Sequence, residues 1–532
     1  MSADRSRLAG VLVPLFSAPS TESWGIGEFG DIPALARWLH RAGFGMLQLL
    51  PVHETDRREA SPYSALTAMA LDPQFISLRD VPDFAAAGGE AAMDAALRHS
   101  VAQARQSPRV EYEQVRAAKA QALRLAFERF VDEEWTAQSA RARELQRYVE
   151  AQSWWMDAYA LFRAVRAAER DRAWTDWPEG LRTVHPDALA AARVDLEREV
   201  LFCQYVQWVA EGQWQAARRA AAPVAVFGDF PFLVTLDSAD VWMRQDEFLL
   251  DASVGSPPDE FSDTGQDWGL PPCNWAVMAA RGDAWLRQRV LRMAALFDGY
   301  RVDHLVGFYR TYVRPRSGPA HFLPADEAEQ TAQGERLMRI FLESGPRITA
   351  EDLGVVPKFV RASLARIGLP GYRVLRWERD WELPGQRFRN PADYPPTSVA
   401  TTGTHDTSTL ATWWESLTAE ERADLAGFAT AHVSGGAEPG TGDPLQPAFD
   451  ETVSDALLDL IYGAGSDLLV LPIQDLFGWQ ERINQPGTLG PANWTFKLPW
   501  PVDRLDEEPE PAARAQHLRT LSVRSRRAQG LV

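Results

Sequence analysis

The sequence predicts an α/β protein built on a (β/α)8 barrel of the TIM type, interrupted by large, mostly helical insertions. Three observations lead to this prediction. Eight short apolar runs recur along the chain, each followed by helical periodicity or by a Gly/Pro-rich loop. Three of these runs are followed, at once or after a short turn, by an acidic side chain. A segment of about 170 residues, rich in Ala, Arg, Glu, Leu and Trp, separates the second run from the third.

The apolar runs have the length of buried strands, and they stop abruptly at polar or charged residues. Parallel strands that alternate with helices are expected to close into a barrel, with the active site at the C-terminal ends of the strands. The predicted strands are Val11–Phe16, Met46–Val52, Val224–Phe227, Tyr300–Val302, Arg347–Ala350, Tyr372–Leu375, Ser398–Thr402 and Leu468–Ile473.

The segment between the second and third predicted strands is longer than a simple crossover requires. Its helical periodicity is clearest at Tyr112–Val131 and Val194–Arg219. Elsewhere, the Gly- and Pro-rich stretch Gly435–Pro444 predicts a flexible loop. The predicted division is residues 1–80 for the first part of the barrel, residues 81–220 for an inserted helical subdomain, and residues 221–532 for the remainder of the barrel.

Composition excludes several classes of protein. The 532 residues carry a formal net charge of −18, which disfavours nucleic acid or an anionic membrane surface as a partner. Two cysteines, Cys203 and Cys273, exclude a disulfide framework and a multi-cysteine zinc site, and they fit a reducing compartment. The apolar run at the N-terminus is broken by Pro14 and no cleavage site follows, so we expect no signal peptide. These features predict a soluble, cytoplasmic protein.

The segment FDGYRVDH places Arg301 and Asp303 two residues apart at the end of a predicted strand. Alternate residues of a strand point to the same face, so these two side chains should be neighbours. An adjacent guanidinium favours the ionised carboxylate that a nucleophile requires. A structural ion pair at a strand end is the alternative interpretation.

The segment RITAEDLG ends in two acidic residues, Glu351 and Asp352, of which only one can point into the mouth of the barrel. A general acid needs a pKa raised towards neutrality by burial or by a nearby carboxylate. The sequence pattern leaves open which of the two points inward. A helix N-cap is the alternative role, and it suits Asp352 better than Glu351.

The segment SVATTGTHDT ends in a turn of small residues that carries His405 and Asp406. Both side chains can form a hydrogen bond with a sugar hydroxyl. Capping of a helix that begins near Ser408 is an equally good explanation of the acidic residue. The combination of three strand ends with carboxylates is what favours catalysis, because catalytic groups of barrel enzymes gather there.

Paired carboxylates are the usual equipment for cleaving a glycosidic bond. The G-K-[ST] phosphate loop, the H-E-x-x-H motif and the G-x-S-x-G motif are all missing from the sequence. The 20 tryptophans also suit carbohydrate, because aromatic faces stack on sugar rings, although most of them are expected in the core. Nothing in the sequence calls for a metal or an organic cofactor.

Eight ordered motifs run along almost the whole chain. Together they resemble the amylomaltase, or disproportionating 4-alpha-glucanotransferase, family (glycoside hydrolase family seventy-seven). The motifs are GIGEFGD (25–31), SPYSALTAMALDP (61–73), GDFPFLVTLDSADVW (228–242), PPDEFSDTGQDWG (257–269), RVDH (301–304), AEDLG (350–354), GTHDT (403–407) and, near the end, LPIQD followed by INQPGT and NW.

The resemblance implies that Asp303 is the nucleophile, Glu351 the general acid and then base, and Asp406 a stabiliser of the transition state. It therefore favours Glu351 over Asp352. It further implies a lid loop at residues 255–275 that closes over the substrate and favours a sugar acceptor over water. The substrate-binding residues that it implies are Tyr63, Asp229, Gln266, Trp268, Arg301, His405, Asn484 and Pro486.

The expected reaction is transfer of alpha-1,4-glucan segments between maltodextrins, as in starch or glycogen metabolism. Its partners would be maltooligosaccharides and alpha-1,4-glucans, with no nucleic acid and no membrane. A retaining alpha-glucan hydrolase with the same carboxylates is the closest alternative, and an inactive glucan-binding protein is a second. Val306, Cys273 and the segment LQLLPVHET depart from the family pattern, and we expect these departures to affect acceptor binding rather than the reaction type.

Overall fold

The computed structural model of the protein describes residues 7–258, 265–433, 448–488 and 490–528. The strands of the described residues are β1 Leu8–Leu12, β2 Met46–Gln48, β3 Ala225–Phe230, β4 Ala252–Ser256, β5 Gln266–Asp267, β6 Gly299–Val302, β7 Thr311–Pro315, β8 His321–Leu323, β9 Arg347–Ala350, β10 Gly371–Val374, β11 Ser398–Thr401 and β12 Leu468–Pro472. Eight of them are parallel and close into a barrel in the order β1, β2, β3, β6, β9, β10, β11 and β12. The (β/α)8 barrel predicted from the sequence is confirmed.

The first barrel strand lies three residues earlier than predicted. β1 begins at Leu8 and ends at Leu12, and the residues after Pro14 form a short 3-10 turn. Pro14 has no N–H to donate to a neighbouring strand, so the apolar run cannot continue as a paired strand beyond it. Leu15 and Phe16 are apolar because they are buried in the core as part of the turn, not because they belong to a strand.

Strands β4, β5, β7 and β8 form a separate antiparallel sheet in the order β5, β4, β7, β8. β4 and β5 follow barrel strand β3, and β7 and β8 follow barrel strand β6. Both connections leave the barrel at C-terminal strand ends. The small sheet is therefore built from loops of the face where barrel enzymes carry their active sites.

The barrel strands alternate with helices that pack by their apolar faces. The first helix, α1 (Ile32–Arg41), is an example, because Ile32, Leu35, Ala36 and Leu39 recur at helical spacing and are all buried. The α-helices of the described residues are α1 Ile32–Arg41, α2 Pro82–Ala86, α3 Ala95–Gln106, α4 Tyr112–Phe130, α5 Ala140–Ala168, α6 Glu179–Arg182, α7 Pro186–Asp195, α8 Glu197–Ala221, α9 Ala239–Met243, α10 Trp275–Ala280, α11 Ala284–Leu296, α12 Val306–Tyr309, α13 Glu327–Leu342, α14 Lys358–Ile367, α15 Leu410–Ser416, α16 Ala419–Val433, α17 Glu451–Tyr462, α18 Ile473–Phe477 and α19 Pro509–Arg524.

Helices α2 to α8 occupy the long segment between β2 and β3. The two helices expected there are present, as α4 and as α8, whose last turn leads into β3. The division of the chain at residues 80 and 220 stays a prediction. The expected flexible loop Gly435–Pro444 lies outside the described residues. In the described part of the chain, no helix is both long and apolar enough to cross a membrane.

Candidate active site

The predicted carboxylates gather at the C-terminal ends of neighbouring barrel strands. Asp229 lies in β3, Asp303 directly follows β6, and Glu351 directly follows β9. These three strands are adjacent in the barrel, in the order β3, β6, β9. Asp229 pairs with Arg301 in the register of β3 and β6, so both side chains start from the same level of the barrel. The alternation of side chains along short parallel strands thus brings acidic groups from three strands together.

Arg301 is the centre of this group. Its Nη1 donates a short hydrogen bond to Asp229 and a longer one, 3.3 Å, to the hydroxyl of Tyr63. Its Nη2 donates to Oδ1 of Asp303 at 2.8 Å and lies 4.0 Å from Oε2 of Glu351. Burial by itself disfavours the charged guanidinium, but the surrounding carboxylates outweigh it and raise the pKa of Arg301 well above its usual value. The Arg301 guanidinium therefore remains charged and lies among the carboxyl groups of three acidic residues.

Asp303 and Glu351 both lie beside Nη2 of Arg301, but their surroundings differ. The Asp303 side chain is 21% exposed, whereas that of Glu351 is 13% exposed. Burial, supported by the negative charge of Asp303, raises the pKa of Glu351 to about 7 against the attraction of Arg301. Oε2 of Glu351 also accepts the backbone N–H of His304 at 2.8 Å. A carboxyl group in this state can give up a proton near neutral pH and take it back.

Asp352 points away from the barrel mouth. Its carboxylate is 2% exposed, accepts the backbone N–H of Tyr372 at 2.6 Å and lies 3.5 Å from Arg373. The helix-capping role suggested for Asp352 is wrong, because the next helix, α14, has Pro357 at its N-cap position. Asp352 instead joins the end of β9 to the beginning of β10.

Asp406 lies in the loop between β11 and α15. Its Oδ1 accepts the Nδ2–H of Asn484 at 2.6 Å, and its Oδ2 lies 3.4 Å from Nε2 of His405. Burial would raise the pKa of Asp406, but His405 and Asn484 outweigh this effect and lower it to about 2. Asp406 does not cap α15, whose N-cap is Thr409. The carboxylate is therefore ionised and free to interact with positive charge on a substrate.

An aromatic wall adjoins the carboxylates. The ring of Tyr63 is stacked on His405, with centroids 5.3 Å apart and planes at 22°. The Tyr63 hydroxyl donates to Oδ2 of Asp229 at 2.7 Å. Trp494 packs against both rings, 5.9 Å from Tyr63 and 5.7 Å from His405. Trp494 was not among the predicted site residues, although the NW motif near the end of the chain contained it.

The predicted lid residues reach the site through the small sheet. Nε1 of Trp268 donates to Oε1 of Gln266 at 3.1 Å, and the Trp268 ring meets the His304 ring edge to face at 4.7 Å. Residues 259–264 of the predicted lid, 255–275, lie outside the described residues. His304, which follows Asp303, has a left-handed backbone with φ of 43°. Its contacts with Glu351 and Trp268 make it a site residue that the sequence reasoning missed, although the RVDH motif included it.

Three residues singled out from the sequence have no described contact with the carboxylates. Pro486 is exposed, two residues beyond Asn484, and no described contact joins it to the carboxylates. Cys273 is 1% exposed, so it cannot touch a glucan directly, and its expected influence on the acceptor would have to pass through its neighbours. Val306 begins α12, shortly after Asp303, and is half-buried. Among the described residues, no group of three or more His, Cys, Asp or Glu side chains is placed to hold a metal ion.

Comparison with known proteins gives a consistent result. The model of a family described as 4-alpha-glucanotransferase matches residues 13–503. A 4-alpha-glucanotransferase of Thermus thermophilus is 32% identical over 507 residues, which are 92% of this chain and 95% of that protein. A 4-alpha-glucanotransferase of Chlamydia pneumoniae is 31% identical over 504 residues, which are 92% of this chain and 91% of that protein.

Two solved structures share the fold over nearly the whole chain. The amylomaltase of Corynebacterium glutamicum aligns with a TM-score of 0.77 and 25% identity, covering 96% of this chain and 75% of that one. The amylomaltase of Streptococcus agalactiae, solved in complex with acarbose, aligns with a TM-score of 0.80 and 24% identity, covering 98% and 99%.

Proposed function

We propose that this chain, which belongs to the 4-alpha-glucanotransferase family and transfers glucan segments, works by a retaining two-step mechanism through a glycosyl-Asp303 intermediate. Its donors and acceptors in this proposal are maltooligosaccharides and other alpha-1,4-glucans. The amylomaltase of Streptococcus agalactiae was solved with acarbose, which supports an oligosaccharide ligand for this barrel. No metal or organic cofactor takes part in the proposed reaction.

The observation that carries the proposal is the shared contact of two carboxyl groups with one nitrogen of Arg301. Nη2 lies 2.8 Å from Asp303 and 4.0 Å from Glu351. The two contacting oxygens are therefore at most about 7 Å apart, a range that includes the ~5–5.5 Å carboxyl separation of retaining glycosidases. Arg301 also suits the two groups to different tasks. It forms a close ion pair with Asp303, but it lies farther from Glu351, whose pKa is therefore set mainly by burial.

In the first step, protonated Glu351 donates its proton to the glycosidic oxygen while Oδ of Asp303 attacks the anomeric carbon. The glycosidic bond breaks, a covalent glycosyl ester forms, and the reducing-end piece leaves with a new hydroxyl group. Positive charge develops on the sugar ring in the transition state. The ionised carboxylate of Asp406, oriented by Asn484, lies at the same face and stabilises that charge.

In the second step, the ionised Glu351 takes a proton from the 4-hydroxyl of an acceptor glucan. The acceptor oxygen attacks the anomeric carbon, the ester bond to Asp303 breaks, and the alpha configuration is restored by the two inversions. The same carboxyl group thus serves as acid and then as base, which requires a pKa near the working pH. Glu351, with a pKa of about 7, meets this requirement.

Water competes with the acceptor sugar at the second step. In the proposed mechanism Trp268, whose ring contacts that of His304, the residue after Asp303, covers the intermediate and excludes water. This arrangement supports transfer over the hydrolysis that the same carboxylates would also perform. Incubation with maltotriose separates the two. Transfer yields glucose together with a ladder of longer oligosaccharides, whereas a hydrolase yields only shorter sugars and a rising number of reducing ends.

The covalent intermediate has its own test. Maltosyl fluoride carries a leaving group that needs no acid, so the Glu351→Gln variant should form the ester and then stall for lack of a base. Mass spectrometry of the digested variant should find a glycosyl group on the peptide that contains Asp303. Two results would refute Asp303 as the nucleophile. One is rapid turnover of maltosyl fluoride by Glu351→Gln with no modified peptide, and the other is a glycosyl group on a different residue.

The proposal also includes roles for two segments of the chain. Residues 81–220 act as a helical insertion beside the barrel, and residues 255–275 act as the lid.

The cellular location is a further part of the proposal. The two cysteines, which are both free, support a reducing, cytoplasmic location. Fractionation of source cells, followed by detection of the protein with an antibody, would test the location.

A further inference from the structure

Arg376 lies two residues after the end of β10, and its side chain contacts the loop that carries Asp406. Its side chain is 7% exposed, and all of its described hydrogen bonds go to this loop. Nη1 donates to Oγ of Ser408 at 2.7 Å, and Nη2 donates to the Ser408 carbonyl at 2.8 Å. Nε and Nη2 also lie 3.3 Å from the carbonyl of Thr402. One guanidinium therefore joins the first and last residues of the segment 402–408.

Asp475 binds the same segment from the opposite side. It lies in α18, just after β12, and is 1% exposed. Its Oδ2 accepts the hydroxyl of Thr402, and its Oδ1 accepts the backbone N–H of Leu410 at 2.7 Å. Strands β10 and β12 are the two neighbours of β11 in the barrel. The loop after β11 is thus held at both ends by one buried charged side chain from each flanking strand.

We propose that Arg376 and Asp475 are positioning residues for the reaction, which act by holding the backbone of Asp406 at the place where its carboxylate meets the transition state. Catalytic groups must be held within about 0.5 Å of their working position by supporting side chains. The buried donors of the Arg376 guanidinium are matched by oxygen atoms of the loop, at Thr402 and Ser408. This inference rests on the proposed role of Asp406.

A buried arginine could also serve general stability, and a control in the same chain separates the two roles. Arg527 is 0% exposed and donates to the carbonyls of Tyr462, Ala464 and Ser466. These carbonyls precede β12, at the face of the barrel opposite to the active site. Arg527→Met removes a comparable set of buried hydrogen bonds without touching the Asp406 loop.

The test measures kcat and KM for maltotriose in Arg376→Met, in Arg527→Met and in Asp406→Asn. Misplacement of a catalytic group by about 1 Å costs on the order of 100-fold in rate, so we expect Arg376→Met to lower kcat by about that factor with KM changed less than about threefold. Arg527→Met should lower the unfolding temperature and leave kcat unchanged. If both variants lose kcat in proportion to their unfolding temperature, the positioning role is refuted.

The double variant Arg376→Met/Asp406→Asn gives the sharper result. If Arg376 acts through Asp406, the second change should cost almost nothing once the carboxylate is gone. Fully multiplicative losses would overturn the inference while leaving the role of Asp406 intact. A normal rate for Asp406→Asn alone would instead refute the proposed function. If Arg376→Met fails to fold, two variants of Asp475 take its place. Asp475→Asn retains an acceptor for the backbone N–H of Leu410, whereas Asp475→Ala does not. Only Asp475→Ala should therefore lower kcat.

Discussion

The Glu351 carboxyl is buried at the end of β9, beside Arg301 and His304. Burial raises its pKa to about 7, although Arg301 opposes the shift. The residue is therefore protonated below about pH 7 and ionised above it. Asp406 behaves in the opposite way, because His405 and Asn484 outweigh burial and hold its pKa at about 2. Two carboxyl groups in one site are thus suited to different tasks, which is the usual sign of an acid and a stabilising anion.

This difference predicts the pH dependence of the reaction. The first step needs the proton of Glu351, so kcat/KM for maltotriose should fall as the pH rises through about 7. Maltosyl fluoride needs no acid, and its kcat/KM should stay constant between pH 6 and 9. A decline of equal size with both donors would show that another group controls the basic limb.

Asp303 is the proposed nucleophile, so its carboxylate should be indispensable for turnover. Asp303→Asn removes the attacking oxygen but keeps the shape of the side chain and a polar contact with Arg301. Turnover of maltotriose should fall by at least about 1,000-fold, because no covalent intermediate can form. Binding of maltooligosaccharides, followed by tryptophan fluorescence, should change little. A rate within tenfold of the native protein would exclude Asp303 as the nucleophile.

The small antiparallel sheet brings Trp268 and Gln266 to the barrel mouth. Its strands lie in connections that leave β3 and β6, so the elements that carry Asp229 and Asp303 also carry the cover of the site. The edge-to-face contact between Trp268 and His304 joins this sheet to the residue next to Asp303. The proposed exclusion of water therefore depends on this sheet as well as on the Trp268 ring that it positions.

Replacement of the Trp268 ring should therefore change what accepts the glycosyl group. In Trp268→Ala, the ratio of hydrolysis to transfer should rise by about tenfold, because water reaches the intermediate more easily. Glucose release and oligosaccharide ladders from the same maltotriose reaction give the ratio. Trp154→Ala, on α5 with 39% exposure, is the matched control and should leave the ratio unchanged. Equal ratios in both variants would remove the covering role from Trp268.

At the scale of the whole molecule, a buried ion pair joins the helical segment to the start of the barrel. Nζ of Lys119, in α4, donates to Oε1 of Glu28 at 2.7 Å and to the carbonyl of Ile76 at 2.7 Å. The two side chains are only 1% and 2% exposed. Burial lowers the pKa of Lys119 and raises that of Glu28, and their mutual attraction opposes both shifts. Removal of one partner would leave the other as an unpaired buried charge and destabilise the fold, whereas removal of both would not.

Lys119→Met leaves a buried carboxylate without its cation, and it should destabilise the protein by about 3–5 kcal/mol. The double variant Lys119→Met/Glu28→Gln should recover much of this loss, because no unpaired charge remains. Urea denaturation followed by tryptophan fluorescence measures both. Lys358→Met, which breaks the exposed pair with Glu382, is the control and should shift the midpoint little. Equal destabilisation of the single and double variants would contradict this account.

The barrel and its three carboxylates could be predicted from the sequence because they depend on local patterns. Apolar runs mark buried strands, the polar residues that follow mark the catalytic face, and spacing of two puts Arg301 beside Asp303. The ion pair of 2.8 Å between them agrees with this reasoning. The error at β1 also has a local cause, since an apolar turn after Pro14 cannot be distinguished from a strand by hydrophobicity alone.

Other features were decided only by the tertiary structure. Glu351 and Asp352 are adjacent and chemically alike, and only the paired strands show that one meets Arg301 and the other Tyr372. The stacking of Tyr63, His405 and Trp494 joins distant parts of the chain. The bracing of the Asp406 loop by Arg376 and Asp475 likewise spans 26 to 73 positions. A single sequence carries the period of each element but not the register between distant elements. The candidate carboxylates could therefore be located from the sequence, whereas the contacts that distinguish and support them followed from the closure of the barrel.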